Sequence, residues 1–302
     1  MIQNNLPFTE KYRPKEFDNI ILDEANRIIF ENILETNNFP NILLHGPPGT
    51  GKTTTIINLI NKYQEKYLQK SNSLIIHLNA SDDRGIDVIR NNIYNFVISD
   101  NLFNNGIKFV ILDEVDYMTK IAQQALKCLI QYNVQNVRYC LICNYISKID
   151  KSLISEFIKI RFNKLDKNSI FNYLNNINNI ENINLNDKQI IALIDYFDSD
   201  IRCMLNYMQS NINTKINILD NSVMCKLYEI NISQTLDNFK NNIILIENKY
   251  KLSISQIIKT YLTYIINYKR HILTNKLICE IELIIHNINN DYLVEYVYYL
   301  FI

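Results

Sequence analysis

The chain has 302 residues, enough for two or three domains with sizeable cores. Its 31 basic and 31 acidic residues cancel, so a wholly basic nucleic-acid coat is excluded and any such contact must come from a local patch. No apolar run approaches the roughly 18 residues of a membrane span, so no membrane partner is expected. The six cysteines are dispersed, and Met1-Ile2-Gln3-Asn4-Asn5 does not open a secretory leader, so a reducing intracellular compartment is the expectation.

In chain order, Leu6 to Pro14 is irregular, and apolar spacing predicts a helix from Asp23 to Glu35 through Ile28, Ile29, Ile33 and Leu34. Asn41 to Leu44 reads as a buried strand. Thr54 opens a helix that runs to about Gln69 on Ile56, Ile57, Leu59, Ile60, Tyr63 and Tyr67. Further strands are expected over Leu74–Leu78, Lys108–Leu112, Tyr139–Cys143 and Ile158–Phe162, with helices near Ile86–Ile98 and Ile121–Tyr132 between them. That alternation predicts an α/β fold with a parallel sheet covered on both faces. Strand signals stop after Asn163. Short amphipathic helices follow, then longer ones with stripes at Ile254, Ile257, Ile258, Tyr261, Leu262 and Ile265, and at Leu277, Ile278, Ile281, Ile284, Ile285 and Ile288. These stripes read as core, with packing on a neighbouring chain as the alternative. The expected domains are 1–163, which holds the strands; 164–221, of short helices; and 222–302, all-helical.

The stretch Gly46-Pro47-Pro48-Gly49-Thr50-Gly51-Lys52-Thr53-Thr54 satisfies the phosphate-loop pattern, and a strand and a helix flank it as the motif requires. Three of only five glycines fall here. Their backbone freedom lets amides turn onto phosphates beside a helix N-terminus, Lys52 meets the phosphates, and the Thr53 hydroxyl ligates magnesium. Asp113-Glu114 ends an apolar strand, where ligands of nucleotide-binding sheets sit. Asp113 is expected to hold Mg2+ and Glu114 to polarise the water that attacks the γ-phosphate of a nucleoside triphosphate. Asn144 follows the fourth strand, either orienting that water or serving as an ordinary turn residue. Arg202 lies at the start of a helix, a dipole-unfavourable place that points to another partner. Cys140 and Cys143 lie on a strand with no second pair to complete four ligands, so they read as structural thiols rather than a zinc or redox site.

These motifs, with Glu10-Lys11-Tyr12-Arg13-Pro14, Leu78 to Arg90, Ile111 to Thr119 and Leu141 to Lys148, resemble the small subunits of replication factor C, the eukaryotic sliding-clamp loader of the AAA+ ATPase class. Cys143-Asn144-Tyr145 points to the third-subunit type, numbered fifth in the human complex. The resemblance implies a nuclear pentameric ring that binds ATP, opens a sliding clamp, grips primer–template DNA and hydrolyses ATP to release the clamp. It further implies that Asn144 and Arg202 are the two sensors, that Tyr12, Arg13 and Pro14 border the adenine, and that Arg84, Arg90 and Lys127 face DNA phosphates. For the arginines, salt bridges on a solvated helix are the competing reading. Family members carry Ser-Arg-Cys before the fifth strand, where this chain has Ser155-Glu156-Phe157. An acid in place of that arginine implies a subunit with a complete site of its own that activates its neighbour poorly. A structural ring member that binds ATP but rarely hydrolyses it is the alternative. A branch-migration helicase is disfavoured, because 222–302 shows neither strands nor basic recognition residues.

Overall fold

The computed structural model describes residues 6–69, 71–81, 89–99, 106–132, 136–198, 200–212, 219–250, 252–286 and 292–301; for Ile89, Arg90 and His286 it describes the backbone only. Five strands form one sheet: β1 Ile42–His45, β2 Ile75–Asn79, β3 Lys108–Asp113, β4 Val137–Cys143 and β5 Ile158–Arg161. Their order is β2-β3-β4-β1-β5, and every neighbouring pair is parallel. A parallel sheet puts all carboxyl ends on one edge. The register sets His45 beside Cys143 and Asn79 beside Asp113 there.

Alternation along the strands divides the core in two. Leu43, Val110, Leu112 and Leu141 point to one face, where they pack with Ala122 and Leu126 of the helix Lys120–Gln131. Ile42, Leu44, Phe109, Ile111 and Ile142 point to the other, against Phe30 and Ile33 of the helix Glu24–Thr36 and Ile56 and Leu59 of the helix Lys52–Lys66. Each such side chain contributes about 1.5–3 kcal/mol by leaving water, so the doubly covered sheet is the stable arrangement. Asp23 caps the first of these helices by accepting from Asn26 N–H at 2.8 Å. Only part of the expected stripe on that helix is core: Ile33 and Leu34 are buried, while Ile28 is 51% exposed.

The chain forms two compact units, 1–173 with 198–209, and 174–197 with 210–302. The first holds the sheet. Within the second, the helices Asn221–Ser233, Leu236–Tyr250, Ile254–Tyr268, Asn275–His286 and Leu293–Leu300 enclose a core of their own. Ile257, Ile258, Tyr261, Leu262 and Ile265 are buried in it, as the periodicity predicts. On the next helix the stripe is narrower: Ile281 and Ile284 are buried and Ile278 is exposed. No described helix is long and apolar enough to cross a membrane.

Candidate functional site

The turn after β1 is shaped by close backbone approaches. A Cβ at Gly46 would stand 2.2 Å from the Phe162 carbonyl oxygen. One at Gly49, where φ is +74°, would stand 2.1 Å from Asp200 Oδ1. Glycine is therefore required at both. The first main-chain hydrogen bond of the following helix runs from Thr55 N–H to Gly51 O. The amides of Lys52, Thr53 and Thr54 precede the ladder, so the helix start presents orphan donors and the positive end of its dipole.

Lys52 is buried, and its Nζ donates to Gly46 O at 2.8 Å, Pro47 O at 2.7 Å and Asn144 Oδ1 at 2.9 Å. Burial pulls its pKa below the ordinary lysine value, and nearby Arg202 pushes the same way; Asp113, Cys143 and Asp116 oppose them. One residue on, Thr53 Oγ1 donates to Asp113 Oδ2 at 2.6 Å. Asp113 Oδ1 accepts the Glu114 amide at 2.8 Å, and Glu114 adopts a left-handed conformation, φ 55°, that turns the chain at the strand end. The phosphate loop, the end of β3 and the end of β4 are thus tied together by Lys52–Asn144 and Thr53–Asp113.

These residues line a cavity of about 410 Å³. Lys52, Thr53, Asp113, Glu114, Asn144 and Arg202 all reach it. Among the described residues no carboxylate lies within ion-pair distance of Arg202, so a second cation faces the cavity without a partner. Orphan amides, a buried ammonium and an unpaired guanidinium fit a polyphosphate, and a hydroxyl hydrogen-bonded to a carboxylate fits magnesium.

Arg13 and Pro14 also line the cavity. Arg13 Nε donates to Thr54 Oγ1 at 3.2 Å, and Asn58 Nδ2 donates to Pro14 O at 2.9 Å, which fastens the N-terminal segment to the phosphate-loop helix. Tyr12 is not among the lining residues: its ring packs edge-on against Phe8, and its carbonyl accepts from Tyr173 Oη at 2.8 Å. Tyr173, Leu165, Ile20 and Ile21 line the cavity instead, and no sequence motif singled them out. Gly46 and Pro47 act through their carbonyls, whereas Pro48, Gly49, Thr50 and Gly51 form wall. Arg84 lies outside the described residues, as does the Arg90 side chain. Lys127, on the helix Lys120–Gln131, is not part of the cavity. Glu156 is half-buried and accepts from Gln131 Nε2 at 2.9 Å. Cys140 and Cys143 are buried, and burial raises both thiols, Cys143 to about 12, which leaves them inert.

Residues 42–165 match the family model "ATPase family associated with various cellular activities (AAA)". The chain is 39% identical to replication factor C subunit 5 of Mus musculus over 191 residues, 63% of this chain and 56% of that protein. It is 38% identical to replication factor C subunit 3 of Saccharomyces cerevisiae over 193 residues, 64% and 56% of the two. The matched stretch thus spans little more than half the length of these curated relatives. Among solved structures, a point mutant of Thermotoga maritima RuvB superposes with a TM-score of 0.54 at 14% identity, covering 85% of this chain and 80% of that one, a likeness of fold alone. Residues 42–165 are thus similar to the AAA family, the fold is like that of RuvB, and the matched stretch is similar to replication factor C subunits 5 and 3.

Proposed function

We propose that this chain is an ATPase subunit of a sliding-clamp loader of the replication factor C kind, working in a ring of related subunits. The observation that supports this best is the convergence of Lys52, Thr53, Asp113, Glu114, Asn144 and Arg202 on one cavity. ATP is held with its phosphates on the amides of the helix start, Lys52 on the outer phosphates and Arg202 closing over them. Magnesium, when bound, neutralises charge on the phosphate oxygens; Thr53 and Asp113 are the residues that hold it. Glu114, at the end of β3, takes up the proton of the attacking water, and Asn144 orients that water while holding Lys52. Arg13 and Pro14 border the base.

Hydrolysis drives clamp release, and the other loader subunits, the sliding clamp and primer–template DNA are the partners. DNA phosphates are met by Arg84, Arg90 and Lys127, which supply a local basic patch on a neutral chain. The work is nuclear. The domains divide as an AAA+ domain over 1–163, a lid over 164–221 and a collar over 222–302 that joins neighbours. Glu156, standing where relatives have an arginine, contributes nothing to a neighbour's transition state, where such an arginine is worth about 10³–10⁵ in rate.

The test is Glu114→Gln assembled with its partner subunits. ATP binding stays within a few-fold, and DNA- and clamp-stimulated turnover falls by about 10²–10⁴. Unchanged turnover would overturn the assignment.

A further inference from the structure

The buried carboxylate of Asp116 takes no part in the phosphate contacts described above. Glu114 reverses the chain after β3, and the turn Val115–Tyr117 brings Asp116 back beneath the carboxyl edge of the sheet. Val115 is fully buried and anchors that turn, and Asp116 is only 6% exposed. One of its oxygens, Oδ2, accepts the Tyr145 amide at 3.3 Å. The other, Oδ1, is buried with no hydrogen-bond partner. A carboxylate oxygen left so is costly, and such groups in folded proteins call for an explanation in function.

Tyr145 directly follows Asn144, whose side chain accepts from Lys52 at 2.9 Å. Asp116 therefore grips the main chain one residue beyond the group that contacts the phosphate-loop lysine. Asn144 is the first residue past the end of β4, so the direction of the Tyr145 amide decides where its carboxamide points. On the opposite wall of the cavity Lys52 is held by two carbonyls of the phosphate loop, and those bonds do not involve Asn144. Charges near this cluster include Lys52, Asp113, Glu114 and Arg202, which line the cavity, and Lys148, whose ammonium lies 5.3 Å and 5.1 Å from the ring centres of Tyr117 and Tyr145; none of them is hydrogen-bonded to Asp116.

We infer that Asp116 is a positioning residue, whose hydrogen bond to the Tyr145 amide aims Asn144 at the place of the terminal phosphate and so lets the site tell a nucleoside triphosphate from a diphosphate. This rests on the reading of the cavity as an ATP site. The amides of the helix start and Lys52 take the phosphates common to both nucleotides. Asn144 and Glu114, at the strand ends, lie where only a third phosphate reaches.

Binding of ATP and of ADP to the full chain, each with magnesium, measured by titration calorimetry, tests this. Asp116→Ala is expected to lower the ATP-over-ADP preference at least five-fold with ADP affinity within two-fold of the parent. Asp116→Asn, which keeps an acceptor for Tyr145, is expected to stay near the parent. Asp116→Leu removes the acceptor at similar volume and replaces Asp116→Ala if the latter does not fold. An unchanged preference in the acceptor-less variant overturns the inference, as does an equal loss for both nucleotides, which marks a purely structural role. A fall in Asp116→Asn as large as that in Asp116→Ala also overturns it, because charge rather than the hydrogen bond would then be responsible. Lys52→Ala in parallel separates the two claims: if it leaves ATP binding intact, the ATP site itself is wrong, whatever Asp116 does.

Discussion

Lys52 concentrates the chemistry of the site, and its environment makes two demands that oppose each other. Burial favours the neutral amine, whereas phosphate binding needs the ammonium, and the carboxylates of Asp113 and Asp116 bias the balance back towards charge. The folded-state pKa is lowered, so the unfolded chain binds more protons in the window just below the usual lysine value. Stability is therefore penalised at neutral pH and rises as pH climbs through that window. Nucleotide affinity moves the other way. We expect ATP binding to weaken at a pH below 10.5 as Lys52 loses its proton, and Lys52→Arg to remove that dependence while binding less tightly overall; titrations across pH check it. Gly49→Ala is expected to cost about 1–3 kcal/mol in thermal or denaturant unfolding, because a Cβ meets Asp200 at a left-handed backbone position.

Among the elements, the short helix Tyr94–Ile98 depends on a residue that the strand pattern conceals. Lys108 opens β3 and is only 7% exposed. Its Nζ donates to Phe96 O at 2.7 Å and also to the Ser99 carbonyl, so a buried ammonium satisfies the last carbonyls of that helix at its negative end. Lys108→Met keeps the apolar stem but removes the ammonium, so Phe96 O is left to the Ser99 hydroxyl, which donates to it at 2.9 Å, and we expect a loss of about 1–3 kcal/mol by chemical denaturation. The helix Ile254–Tyr268 offers a milder comparison. Ser253 and Gln256 form a reciprocal capping box there, and Ser253→Ala should cost about 1 kcal/mol.

For the whole molecule, two units with separate cores predict a divided response to ligand. The cavity proposed to hold nucleotide is lined wholly by the unit that contains the sheet, and the core of 219–301 belongs to the other. Saturating ATP with magnesium, at about 100 times its Kd, stabilises a binding unit by ~2.7 kcal/mol. Hydrogen exchange should therefore slow over 42–66 and 108–117 and stay unchanged in the helix 254–268. Equal protection of both units would mean that they respond as one cooperative body.

Much of the site can be read along the chain because its parts are local. Gly46 to Thr54 carries its own strand, turn and helix, and the helix start makes orphan amides whatever lies elsewhere. Asp113-Glu114 is likewise announced by the apolar strand before it, and the alternation of Leu43 with Ile42 and Leu44 already implies a sheet covered twice. The reach of the stripes was less legible: Ile28 and Ile278 keep the helical period yet stand in water, since a period names a face but not its width. Other features exist only through pairing at a distance. The order β2-β3-β4-β1-β5 puts Asn144 beside Lys52 across 92 positions, and the folding back of 198–209 brings Arg202 to the same cavity. Asp116 and Lys108 look like surface charges in the linear chain, and their burial depends on which strand ends meet. The phosphate-loop motif is thus written in the single run from Gly46 to Thr54, whereas Asp113 and Asn144, the side chains that meet it, are brought there by the register of a parallel sheet, which no single segment specifies.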